Sequence, residues 1–145
     1  MVKEFNSLEE IQKYYDKSTN TYVFEENGSY IDLVVFNFNL NIDANIDACD
    51  IIALNITAND INANDINARN IDAENIDALD IIACGDINAN DISYCAVCVA
   101  YENIKCKSII GFREDAKHFV LDGKLEVEED EWFWKQIKRD SRNWW

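Results

Sequence analysis

The chain is predicted to fold as an all-β solenoid with a cap at each end, and three observations lead there. From residue 46 to residue 85, Ile and Ala recur every five residues. Asn, Asp or Gly closes each group of five, and the flanking segments drop the rhythm for aromatic-rich strands and short helices. The length of 145 residues suits one domain or a small domain with appendages. Apolar residues make up 48% of the chain, enough to build a core.

Thirteen basic residues stand against 28 acidic ones, for a net charge of −15. Phosphates repel such a surface, which argues against direct binding to nucleic acid or anionic lipid. No apolar run is long enough for a membrane-spanning helix. The first twenty residues carry charge throughout and lack the apolar stretch of a signal peptide, so a cytoplasmic location is expected. Residues 41–93 hold eleven of the acids and one base, Arg69. The negative potential therefore belongs to the repeat.

Residues 1–43 read as an N-terminal cap. Ser7 and Glu10 form a capping box that opens a short helix through Tyr15, with Leu8, Ile11 and Tyr14 or Tyr15 on its apolar side. A hairpin is expected at Asn27-Gly28. Val34, Phe36, Phe38, Leu40, Ile42 and Ala44 then alternate into the first coil, and the large aromatics suit a plug over its open end.

Residues 44–111 form the repeat. The pairs are Ile46/Ala48, Ile51/Ala53, Ile56/Ala58, Ile61/Ala63, Ile66/Ala68, Ile71/Ala73, Ile76/Ala78 and Ile81/Ala83. Asp86 is an extra residue, after which the beat continues at Ile87/Ala89, Ile92/Tyr94, Val97/Val99, Ile104/Cys106 and Ile109/Gly111. A period of five fits neither a helix, where Ile would smear around the cylinder, nor a flat strand, where it would change face. A short extended piece followed by a corner satisfies it. Ile and Ala, two apart, point inward, and the residue between them points out. The closing residues, from Asp50 and Asn55 to Asp80 and Gly85, are those that best tolerate positive φ in a turn.

These pentads resemble the pentapeptide-repeat family over about half of the chain. One departure is plain: the family places a small residue first and a large one two positions later, whereas here Ile comes first and Ala second. The resemblance implies a right-handed quadrilateral β-helix of twenty residues per coil, hence about three to four coils. Residues 46, 66 and 87 would then share one column, and Asp47, Asn67 and Asn88 another. Exposed Asn ladders would hydrogen-bond along the stack.

Residues 112–145 read as the C-terminal cap. Two short strands flank Asp122-Gly123, and a helix is expected over 128–143, its acids at the start and its bases toward the end as the helix dipole favours. Trp132, Trp134, Trp144 and Trp145 are the candidate partner surface if this segment does more than cap the fold, because Trp is a common interface anchor.

Catalytic chemistry is not expected. Cys95 and Cys98 have the spacing of half a zinc site, but the chain's one histidine, His118, lies outside the repeat. Cys95 is placed at a corner, Cys98 facing outward and Cys106 inward. No nucleophile elbow or phosphate-cradling loop exists. The sequence therefore points to no cofactor, no metal and no enzyme. The expected role is a protein-binding module that offers acidic faces or caps to a basic partner. A structural or self-assembling unit, dimerising through its Trp-rich end, is the alternative. The resemblance adds a third: a DNA-mimicking binder of a type II topoisomerase. Ice binding would favour a threonine ladder, and Thr57 is the lone repeat threonine.

Overall fold

The computed structural model describes residues 2–128, with side chains described from Glu4 onward. It is mostly β, a solenoid of stacked parallel coils. The register fixes the coil length. Ile51 pairs with Ile66, Ile56 with Ile71 and Ile61 with Ile76, and each Ala stacks on an Ala. Ile46 pairs in the same way with Ile61. Three pentads, fifteen residues, complete a turn.

The twenty-residue, four-sided coil is thereby corrected to a three-sided one. Residue 46 lies beside 61 rather than 66, and the column Asp47–Asn67–Asn88 separates into three, Asp47–Asn62–Asp77, Ile52–Asn67 and Thr57–Asp72–Asn88. The swapped side-chain sizes supply the reason. A square encloses roughly twice the area of a triangle of equal side with only about a third more inward side chains, and close packing forbids the void. One Ile and one Ala per side fill a triangle.

The number of coils also exceeds expectation, about six turns rather than three to four. Parallel stacking begins below the repeat, where Thr21–Val23, Asp32–Val35 and Leu40–Asn41 pair with the first repeat strands. It continues above, where Lys117–Val120 and Leu125–Val127 lie on Val97–Ala100 and Ile104–Cys106. At about 4.8 Å per layer the stack is roughly 25–30 Å tall. Every repeat Ile and Ala from Ile46 to Ala83 is buried, and each Ile contributes about 2–3 kcal/mol.

Corners are built differently from the expectation of left-handed residues. Among the described residues only Asn20, Asn27 and Gly28 have positive φ, none of them in the repeat. Strands Ile51–Asn62 and Asp65–Ala83 run through the corners without a break. The closing Asn and Asp side chains act as acceptors for the next coil instead. Asp50 N–H donates to Asp32 Oδ1, Asp60 N–H to Asn45 Oδ1, Asp65 N–H to Asp50 Oδ1 and Asp86 N–H to Asn70 Oδ1. Asn70 Nδ2 donates to Asn55 Oδ1, and Asn55 Nδ2 to Asn39 Oδ1, each at 2.8 Å. The bends thus retain backbone hydrogen bonding without leaving extended geometry.

Two local frames move. A register shift after Ala78 sets Cys98 opposite Ile81 and Ala100 opposite Ala83. Cys98 and Ala100 are therefore inward, correcting both the Val97/Val99 frame and the outward Cys98. Cys106 is inward, in an Ala slot. Near the start, Leu33 and Val35 fill the inward slots beside Ile51 and Ala53 while Phe36 is exposed. The expected alternation holds from Leu40 through Ile42 and Ala44.

The N-terminal helix is short, Leu8–Ile11, followed by a 3-10 turn over Gln12–Tyr14. Ser7 makes no side-chain cap; Glu10 Oε2 accepts from Asn6 N–H at 3.0 Å instead. Tyr14 packs edge-on to Phe5 at 5.7 Å and beside Phe24 at 5.0 Å, so aromatics fill the interior at this end. Glu25–Glu26 and Ser29–Tyr30 form the hairpin, with φ of 53° at Asn27 and 81° at Gly28. Two positive values are what a two-residue type I′ turn requires.

Tyr94 takes an Ala slot and is fully buried. Its room comes from Gly111 one layer up, where a Cβ would stand 2.8 Å from the Tyr94 ring. The Tyr94 hydroxyl lies 2.7 Å from His118 Nδ1. Burial pushes His118 below its ordinary pKa and Tyr94 up to about 12. A neutral imidazole accepts this hydrogen bond as the Nε2–H tautomer or donates it as the Nδ1–H tautomer.

Candidate functional site

The three outward surfaces differ in chemistry because each pentad contributes one residue to one side. On the first side the outward column is Asn41, Thr57, Asp72, Asn88, Lys105 and Glu126. The second carries Asp47, Asn62, Asp77, Ser93 and Ile110. Polar groups dominate both.

On the third side the column runs Val34, Ile52, Asn67, Ile82, Val99 and Phe119. The bonds from Cys84 N–H to Ala68 O and from Gly85 N–H to Arg69 O set the Ile82 layer on the Asn67 layer. Two residues further along each layer stand Phe36, Leu54, Arg69, Cys84, Tyr101 and Leu121. Ile82 is 43% exposed, Phe119 43% and Leu121 64%. Ile52, Leu54 and Tyr101 are exposed as well. Exposed large apolar side chains thus gather in two adjacent columns on this side, interrupted by Asn67 and Arg69 and with Val34 buried at their foot, while the second side exposes Leu79, Ile110 and Phe112 and the first is polar. Patches of this kind mark interaction sites.

A column of carboxylates borders this side at one corner: Asp32, Asp50, Asp65 and Asp80. The Asp65 carboxyl is pushed above its ordinary pKa by burial and then by the like charges of Asp50 and Asp80. A cation placed along this edge would relieve that repulsion. The opposite corner carries Asn55, Asn70, Asp86 and Asn103, whose side chains bridge layers.

Asp32, Cys49 and Asp50 come within 4.8 Å of one another, the closest approach to a metal-ligand set among the described residues. Both carboxylates already accept backbone N–H groups, from Asp50 and Asp65. Burial, a hydrogen bond with Asp32 and the Asp50 charge push the Cys49 thiol up, away from the thiolate a metal needs. These groups hold the corner. Cys95 and Cys98 do not converge, since Cys98 is buried inward, and all five cysteines are free. A depression of about 130 Å³ lined by Tyr30, Asp47, Cys49, Asn62 and Asn64 lies on the second side, well below the roughly 300 Å³ at which small-molecule sites begin.

Trp132, Trp134, Trp144 and Trp145, with the helix expected over 128–143, lie outside the described residues. The repeat positions from Ile46 to Ala83 come together as the interior. The apolar side was missed by sequence reasoning although its signal was present. Two pentads, IIALN and IIACG, carry Ile in the outward slot, thirty residues apart. On a twenty-residue coil Ile52 would stack on Asp72, and the stripe disappears.

No helix among the described residues is long and apolar enough to cross a membrane. No family model, curated protein or solved structure matches this chain.

Proposed function

We propose that this solenoid is a non-enzymatic protein-binding module whose third side docks a partner presenting apolar side chains flanked by Lys or Arg. The observation that carries this reading is the exposed apolar pair of columns with the aspartate column at its edge. Apolar contact would supply affinity, and the carboxylates would supply orientation and a faster encounter. The pentad rhythm resembles that of the pentapeptide-repeat family. A duplex-mimicking rod aimed at a type II topoisomerase drew on acidic charge and rod shape; a stack roughly 25–30 Å tall is short for such a rod, so the mimic is not the reading adopted.

The test pairs two variants. Ile82→Asn with Phe119→Asn removes apolar contact from the third side. Asp50→Asn, Asp65→Asn and Asp80→Asn together remove charge while keeping the acceptor oxygens that the corners use. A partner captured from cells should bind the first variant at least tenfold more weakly. It should lose its salt dependence with the second. Undiminished binding to both places the partner elsewhere. Light scattering separates this from the self-assembling alternative, which predicts a mass that rises with concentration.

A further inference from the structure

We propose that the third side docks a second copy of this chain face to face, coils side by side and layers level, so that Arg69 of each copy meets Asp65 of the other. This rests on the reading of the third side as a docking face and names its occupant. The partner required there presents apolar side chains beside a base, and the third side itself presents both. Arg69 is the one base in residues 41–93. It is exposed in the middle of this side and makes no ion pair among the described residues. Asp65 stands in the same layer, four residues earlier on the same strand, at the acidic corner. Its carboxyl is pushed up by burial and then by Asp50 and Asp80 along the edge. Four residues of extended chain span about 13 Å, so the base and the acid do not meet within one molecule.

A two-fold axis parallel to the coils, midway between the two outward columns, supplies that contact. It reverses every strand and leaves every layer at its own height, so the first column of one copy lies on the second column of the other. Apolar then meets apolar: Ile52 lies over Leu54, Val99 over Tyr101 and Phe119 over Leu121. The polar interruption meets itself. Asn67 lies over Arg69, and the guanidinium reaches past it to Asp65, two residues further along. Asp50 and Asp65 face Asn55 and Asn70 of the second copy, not its carboxylates. Inverting the second copy with all six layers overlapped spoils these matches. Asn67 then falls on Ile82, Arg69 on Cys84 and Asp65 on Asp80, which buries a cation unpaired and sets like charges together. With layers level, the facing sheets pack in the aligned class, about 10 Å apart. One face, roughly 15 Å by 25–30 Å, covers about 400 Å² in projection, so the contact sits at the low end of specific interfaces and is reversible.

Sedimentation equilibrium of the full-length protein should show a mass that rises with concentration to two chains and stops there, unlike open-ended assembly. Arg69→Asp should weaken the dimer at least tenfold while heat denaturation of the monomer stays unchanged. Asp65→Arg should weaken it equally. An equimolar mixture of these two variants should dimerise again, since one copy then supplies both acids and the other both bases. A protein that stays monomeric overturns the proposal. So does a dimer that Arg69→Asp leaves intact, and so do two folded variants that fail to pair when mixed. If Asp65→Arg loses its β circular dichroism, Asp65→Asn, which keeps an acceptor oxygen at the corner, takes its place. It should weaken the dimer several-fold, and an unchanged dimer then overturns the proposal. The docking reading fails separately. A monomeric protein that still loses its captured partner with Ile82→Asn and Phe119→Asn refutes the second copy alone. A dimer broken by Arg69→Asp, beside a captured partner indifferent to both docking variants, upholds the second copy and moves that partner elsewhere.

Discussion

At the scale of single residues, the closing Asn and Asp of each pentad act mainly as acceptors for the coil above. Asn70 illustrates the load: its Oδ1 accepts from Asp86 N–H at 2.9 Å while its Nδ2 donates to Asn55. Replacing it with Ala leaves a half-buried N–H without its partner, which costs about 1–3 kcal/mol. Urea denaturation of Asn70→Ala should show that loss, and Asn67→Ala on the open side should stay within about 0.5 kcal/mol of the parent. The sequence displayed these residues plainly and their purpose poorly. Asn and Asp are favoured both by left-handed turns and by side-chain bridging, and composition does not separate the two. Buried titrating groups make a second prediction. Burial first, and the neighbouring Cys106 next, raise Cys98 from 9.0 to about 12; burial and Asp91 raise Cys106 to about 11. The unfolded chain releases these protons first as pH rises, so their contribution to stability is intact below pH 9.0 and is lost as pH climbs toward 11–12. Thermal unfolding followed from pH 7 to pH 11 should show a falling Tm, and the fall should be shallower in Cys98→Val.

At the scale of the pentad, inward and outward slots predict opposite tolerance. Ala73 is buried beside Ala58 and offers no partner for a charge. Ala73→Glu should lose more than about 3 kcal/mol or fail to fold, whereas Asp72→Glu, its outward neighbour, should match the parent in heat denaturation. This part of the fold was legible because Ile and Ala are so different from the Asn and Asp between them. Legibility ended at residues 97–100, where Val97, Cys98, Val99 and Ala100 are all apolar and either frame looks inward. Only the register shift after Ala78 chooses between them. The upper strands were legible as strands around Asp122-Gly123, but nothing local told that each would stack on the coil beneath it.

At the scale of the whole molecule, a repeat of five leaves the number of sides undetermined, because three or four pentads can close a coil. The choice depends on how much area the inward residues can fill, a property of the turn as a whole. Ile and Ala select three. That choice decides which outward residues become neighbours, and so the apolar side could not be seen until the coil length was known. A six-layer, three-sided stack predicts that residues 2–128 extend roughly 25–30 Å along the coil axis, a dimension that small-angle scattering can measure.

The fifteen-residue register also restricts how such a chain can change length. Removing residues 56–70, one whole turn, would bring the upper stack down by a single step with every surface still aligned, so Ile52 would come to lie nearer Ile82 on an unbroken stripe. Removing only five residues would swing everything above the cut by a third of a revolution and strand the two halves of the stripe on different sides. Insertions and deletions in multiples of fifteen should therefore preserve recognition, and shorter ones should abolish it even where the barrel still folds.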